Sequence, residues 1–284
     1  MEKIALVTDS TVYLPKKYLE ENKIHVVSLN IIDGEKSYKE LEVDNDFVFK
    51  RQDEKAGLTT SQPAPSEFVD AYEKAFKEGY EKVFVLTLSK GLSGTYQSAI
   101  LGKNMVEQKD KIHVFDTNNA AYGNELLLEK LVDLLKSEKT SAAVIKRMEK
   151  IIEETQLYFT VENLFSLQKG GRLSKAQALL GTVLRVKPII KIVDGKLKLE
   201  HKERTHKKVH KYLADQVLED ENRSDDKTLN VRIIHRDSEE NAIEIKRLIE
   251  ENFSGAKIAV TDYLGPVFSI HIGKKGFGLA WFYE

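Results

Sequence analysis

The 284-residue chain contains no cysteine, which excludes disulfides, thiolate nucleophiles and cysteine-ligated metals. It has no dominant charge: 44 lysines and arginines face 45 aspartates and glutamates, a net charge of −1. That balance offers no general attraction to nucleic acid or to an anionic membrane. No apolar run approaches the roughly 20 residues that a membrane-crossing helix needs. The opening stretch "MEKIALVTDS" has no apolar signal core. The expectation is a soluble cytoplasmic protein of bacterial style, with no integral membrane segment and no nucleic-acid partner. There is no G-x-x-x-x-G-K-[ST] phosphate loop, no G-x-S-x-G nucleophile elbow and no internal repeat. What remains is 41% apolar and long enough for a substantial core, more readily as two domains than one.

Short apolar runs recur between helical patterns. "KIALV" (3–7), "IHVVSL" (24–29), "KVFVLTL" (82–88) and "KIHVFD" (111–116) read as strands. Between and after them, 66–80, 94–107, 120–136 and 141–154 carry helical stripes, with Ser66 as the expected N-cap of the first. Such alternation predicts a mostly parallel sheet flanked by helices over 1–156. After residue 157 the pattern loosens, then resumes as "KPIIKIV" and "KLKLE" around Asp194-Gly195, a hairpin signal. Helix 206–218, strand 229–234, helix 239–252 and strand 257–261 complete a second, smaller α/β domain over 157–284.

The polar residues gather where this plan ends its strands. The first strand runs into Asp9 and Ser10, the third into Ser93 and Gly94, the fourth into Asp116 and Thr117. Thr60 and Ser61 sit in a loop before the first long helix. In an open parallel sheet, ligands bind beyond the carboxyl ends of the strands. A helix starting after Ser93 adds unpaired N–H groups and a positive dipole end, suited to a carboxylate or phosphate. Taken singly, each of these residues reads first as a helix cap.

Six segments in order, "LVTDST", "TSQPAPSEF", "LSKGLSGTYQSA", "LQKGGRLS", "KPII…DGKL" and "GPVFSIHIGKKGFG", closely resemble the DegV family from about residue 3 to the last strand. The resemblance implies a two-domain α/β protein that binds one long-chain fatty acid of about C14–C18 and needs no cofactor or metal. It implies a carrier like the fatty-acid-binding subunit of bacterial fatty acid kinase. Such a subunit is not itself catalytic; it presents the carboxylate to a separate ATP-dependent kinase, and the acyl phosphate enters phospholipid synthesis. By the same resemblance Thr60, Ser61, Ser93, Gly94 and His271 hold the carboxylate. Arg172 and Arg204 lie near phosphoryl transfer and the partner, with Asp9, Ser10, Asp116, Thr117, Gly170 and Gly171 shaping the site. Segments 161–167, 176–184 and 266–270 are candidate walls for the tail. The chain departs from the family at Lys274-Lys275, in place of Pro-Gly, and at Thr117, Ala121 and Glu125, in place of Ser, Ser and Gly. A second reading stays open: a hydrolase using Ser93 and His271 with Asp9 or Asp116.

Overall fold

A computed structural model of the chain describes residues 2–162, 164–174, 186–224 and 226–284. The candidate wall 176–184 lies outside them.

Strands β1 (Ile4–Asp9), β2 (Ile24–Val27), β6 (Lys82–Thr87) and β7 (Ile112–Asp116) form a parallel sheet in the order β2-β1-β6-β7. They read as continuous apolar runs because both faces are covered. Ala5, Val7, Val83 and Val85 meet helices α3 (Pro65–Lys77) and α4 (Thr95–Met105). The alternate residues Leu6, Phe84 and Leu86 meet α5 (Tyr122–Ser137) and α6 (Ser141–Glu154).

Those two helices also cover a second sheet. It is mixed and six-stranded, in the order β10-β9-β8-β13-β11-β12. Its strands are β8 (Gln156–Val161), β9 (Lys187–Val193), β10 (Lys196–Glu203), β11 (Leu229–Arg236), β12 (Lys257–Thr261) and β13 (Gly276–Tyr283). Leu157, Phe159, Ile190, Ile192 and Ala280 join the cluster built on the first sheet. Tyr158, Ile189, Val231 and Trp281 face the other way, toward α8 (His206–Leu218) and α9 (Glu239–Glu250). The layers therefore run helices, sheet, helices, sheet, helices, and the largest apolar cluster is common to both sheets.

A small sheet in the order β4-β3-β5 stands at the carboxyl ends of the parallel strands, formed by β3 (Asn30–Asp33), β4 (Lys36–Lys39) and β5 (Thr59–Ser61). Alongside pack α2 (Asn45–Asp53) and α10 (Pro266–Ile272), while α10 also touches α7 (Phe165–Lys169). The remaining helix, α1 (Lys16–Glu21), follows the first strand.

Two expectations need correction. Thr60 and Ser61 are not in a loop; they form β5, paired with Asn30–Ile32 of β3. The run is too short and too hydroxylated to carry a strand signal. The N-cap of α3 is Ala64 rather than Ser66, because Pro65 starts the helix and Glu67 reaches back to the Ala64 N–H at 2.9 Å. Strands β8 and β13 had no alternation to reveal them, since each is covered on both faces.

The hairpin at Asp194-Gly195 forms as expected, with positive φ at both residues, 49° and 72°. Its tip seats on the loop after β6. The Ser89 hydroxyl donates to Gly195 O at 2.7 Å, and a Cβ at Gly195 would lie 2.4 Å from Ser89 Oγ. A Gly195→Ala substitution is therefore expected to cost about 2 kcal/mol or more, from left-handed strain and overpacking together, read by denaturant titration.

Candidate functional site

Between the two sheets, beyond the N-terminus of α5, lies an apolar cavity. Most of its wall is carbon: Leu29, Leu88, Leu92, Phe159, Ile192 and their neighbours. Of the candidate wall segments, Leu167, Val267 and Phe268 line it, while Val161 and Ile270 lie in the adjoining core.

Four polar side chains from four elements meet at one part of this wall. Thr60 comes from β5, Ser93 from the residue before the α4 cap, Arg172 from the turn after α7, and His271 from the last turn of α10. Thr60 Oγ1 and His271 Nε2 share a hydrogen bond of 2.8 Å. Ser93 Oγ accepts from Thr95 N at 3.3 Å and pairs with Thr95 Oγ1 at 2.9 Å. Gly94 is the N-cap of α4 and brings the backbone against Gln62: a Cβ there would lie 2.8 Å from the Gln62 amide.

The two glycines before Arg172 have different tasks. Helix α7 ends in a Schellman turn, with Gly171 N–H bonded to Gln168 O and Arg172 N–H to Leu167 O, both at 3.0 Å. Gly171 takes the left-handed conformation that turn needs, φ 74°. Gly170 has an ordinary helical φ of −73°, but a Cβ on it would lie 2.5 Å from His271 Nδ1. The turn directs Arg172 so that Nε donates to Leu92 O at 3.2 Å and Nη1 to Gly170 O. Its Nη2 meets no acceptor among the described residues.

Burial, reinforced by the Arg172 cation, pushes His271 down to about 4. Its ring is neutral at physiological pH, and Nδ1 is buried against Gly170 without a hydrogen-bond partner. The unfolded chain protonates this histidine near 6.5, the folded protein only near 4. Its contribution to stability is therefore complete above about pH 7 and is lost as pH falls from there toward 4. On lowering the pH from about 7.5 to about 4.5, wild type is expected to lose about 2–3 kcal/mol more than His271→Gln in guanidinium unfolding.

The remaining candidates hold the loops. Asp9 is fully buried; Oδ1 accepts from Thr11 N at 3.0 Å and Oδ2 from Leu88 N at 2.7 Å, tying the ends of β1 and β6. Burial raises its carboxyl against these donors. Ser10 bonds Glu40 and accepts from Leu29 N. Asp116 accepts from Lys90 N and Asn118 N, and Thr117 donates to Thr87 O at 2.9 Å. None of these four lines the cavity. Ser61 points to the opposite side of β5 from Thr60, near Asn30. Arg204 is exposed in the turn before α8, outside the cavity wall and unpaired among the described residues.

The hydrogen bonds do not assemble a Ser-His-Asp relay. Ser93 pairs with Thr95 and His271 with Thr60, and Asp9 and Asp116 bind backbone N–H groups. Among the described residues no group of acids and histidines is arranged to hold a metal, and no helix is long and apolar enough to cross a membrane. The departures also find places. Lys274 pairs with Asp53 of α2 at 3.0 Å. Ala121 lines the cavity at φ 44°, and Glu125 is buried 3.7 Å from Arg232.

Sequence reasoning missed His235 and Arg236, which line the cavity from the end of β11. Arg236 donates to Leu264 O at 2.8 Å and lies over the Phe49 ring. Neither residue sits in a motif, and no local signal marks them.

These features define a class: an α/β protein with two sheets around a shared apolar cavity, closed in part by hydroxyl, imidazole and guanidinium groups. The DegV family model, described as an uncharacterised protein family, matches residues 3–284. A DegV domain-containing protein of Listeria innocua is 34% identical over 284 residues, covering 99% of this chain and 98% of the relative. A fatty-acid-binding DegV family protein from Thermus thermophilus superposes with a TM-score of 0.90 at 28% identity, covering 99% of this chain and 100% of that one. A stearic-acid-binding protein from Eubacterium ventriosum gives a TM-score of 0.86 at 26% identity, covering 99% and 98%. The chain belongs to the DegV family.

Proposed function

We propose that this protein binds one long-chain fatty acid, its tail in the cavity between the sheets and its carboxylate at Thr60, Ser93 and His271. The observation that carries this reading is the combination in one cavity of an almost wholly carbon wall and a local cluster of hydroxyl and N–H donors. A desolvated carboxylate needs such donors, and the α4 N-terminus with Gly94 adds backbone N–H groups and a positive dipole end.

The floor suits an acyl chain. Leu197 on β10, Ile192 on β9, Phe159 on β8 and Ile234 on β11 all line the cavity, and four strand spacings separate the first from the last. At about 4.8 Å each this spans about 19 Å, the reach of an extended palmitoyl or stearoyl chain. Burying about 15 methylene and methyl carbons at about 0.8 kcal/mol each is worth about 12 kcal/mol before the costs of association. The fatty-acid-binding relatives support the same ligand class.

In this reading the protein is a carrier that presents the carboxylate to a separate ATP-dependent kinase subunit for acyl-phosphate formation. Arg172, on the cavity wall, and the exposed Arg204 are the residues we assign to the transferring phosphate and the partner. Asp9, Ser10, Asp116, Thr117 and Gly171 shape the loops, and residues 1–156 and 157–284 are the two domains we propose.

Organic extraction of the purified protein followed by mass spectrometry tests the reading. A stoichiometric saturated or unsaturated fatty acid is expected. A protein that is empty and takes up neither palmitate nor oleate overturns it. Acyl phosphate trapped by hydroxylamine only when ATP and a kinase subunit are both added tests the second half.

A further inference from the structure

Glu40 lies in the short turn Glu40–Glu42 after β4 and is only 2% exposed. Its two carboxylate oxygens receive three donors. Oε1 accepts from Val267 N and from the Tyr13 hydroxyl, each at 2.9 Å, and Oε2 accepts from the Ser10 hydroxyl. Val267 is the second residue of α10, whose N-cap is Gly265, a residue with no side chain to offer. Glu40 therefore caps, from 227 positions away in sequence, the helix whose last turn carries His271. The same turn is gripped by Asn45 Nδ2 on Leu264 O at 2.9 Å and by Arg236 on Ser269 Oγ at 2.7 Å.

No described lysine, arginine or histidine forms an ion pair with Glu40. The titratable groups facing it are Asp9 from β1, Tyr13 from the turn after β1 and Tyr263 from the segment after β12. Arg236, at the end of β11, acts on the two tyrosines.

We propose that Glu40 is a positioning residue for the carboxylate site: as an anion it holds the His271 helix in register with Thr60, and on gaining a proton it loosens that helix and weakens ligand binding. The binding half of this inference rests on the fatty acid reading above. An ionised carboxylate accepts all three donors at once. A carboxylic acid must place its own proton against one of them. One of the two hydroxyls must then reverse and accept the Glu40 proton, and the Val267 N–H faces a neutral carboxyl in place of an anion, so the cap on the helix N-terminus loses its charge assistance. Burial pushes Glu40 up to about 7, against the pull of its donors, so the change falls in the neutral range.

The test follows the His271 ring C–H signal by NMR in the ligand-free protein, assigned with His271→Gln. His271 itself stays neutral above about pH 6, so an inflection of its signal near neutrality reports Glu40. The inflection is expected in wild type, absent in Glu40→Gln, and moved to higher pH in Ser10→Ala, which removes one donor to the anion. Palmitate affinity is expected to fall about tenfold from about pH 8 to about pH 6 in wild type and to stay flat, at the weaker value, in Glu40→Gln. The ligand's own ionisation is common to both proteins and cancels in the comparison. A Glu40→Gln protein that is less stable but keeps the wild-type pH course overturns the proposal. Should that variant not fold, an unmoved midpoint in Ser10→Ala overturns it. Wild type that binds no palmitate at any pH defeats the fatty acid reading, while the ligand-free signal still decides the role of Glu40.

Discussion

A Thr60→Val, Ser93→Ala double variant is expected to bind fatty acid roughly 10²–10⁴-fold more weakly than wild type, since a hydrogen bond to a charged group is worth about 1.5–3 kcal/mol and two are removed. Each single variant should lose one share of this. The fold should survive. Thr60→Val keeps the shape of the side chain and leaves His271 Nε2 without its partner. Ser93→Ala removes a hydroxyl that accepts from Thr95 N, a cap worth about 1 kcal/mol. The discriminating control is the alcohol of the same chain length, titrated by displacement of a fluorescent fatty acid. Its affinity should change little, because it carries no anion for the two donors to hold. Equal losses for acid and alcohol would mean that the carboxylate does not lie at these residues.

The second large effect is expected from one methyl group. Gly170→Ala introduces a Cβ 2.5 Å from His271 Nδ1, at a backbone conformation that alanine adopts freely. The severe clash is therefore with the imidazole, while Ser166 O, at 3.2 Å, is a milder one. Either the ring leaves Thr60 or α7 shifts away from α10, and overpacking of this kind costs about 1–3 kcal/mol. Carboxylate affinity should fall at least tenfold, with the His271 ring signal displaced even without ligand. Gly171→Ala is the informative neighbour. A Cβ there meets nothing within 4 Å, but φ is 74°. It should lose about 1–2 kcal/mol of stability through left-handed strain, without displacing the His271 signal. The reverse ranking, with Gly171→Ala moving the ring and Gly170→Ala leaving it in place, would contradict the packing described here.

Much of the frame was legible in the chain. Strands β1, β6 and β7 are apolar runs ending in hydroxyl and carboxylate residues, and the parallel sheet brings those ends to one edge. Asp194-Gly195 is a turn that its two residues dictate locally. The six motifs carried the family without any knowledge of the fold. Other features could not be read. Strand β5 is three residues long and owes its existence to pairing with β3. Strands β8 and β13 lack alternation because helices cover both of their faces. Gly170 and Gly171 look alike in "KGGRLS", yet one is required by a backbone angle and the other by an imidazole from residue 271.

The sequence by itself determined the absence of thiol chemistry and the α/β alternation, which follow from residue type and local periodicity; its six motifs gave the family, and through that resemblance the candidates Thr60, Ser93, Arg172 and His271, which the fold places on one cavity. Only the tertiary structure decided that Thr60 meets His271 across 211 positions, that Asp9, Asp116 and Thr117 serve backbone groups rather than the cavity, and that a glutamate in a turn caps the histidine's helix. The physical reason is that a hydrogen bond or a steric contact depends on distances of a few ångströms between segments far apart in the chain. Local sequence pattern sets which segments form, and packing of the two sheets around one cavity sets which of their side chains touch.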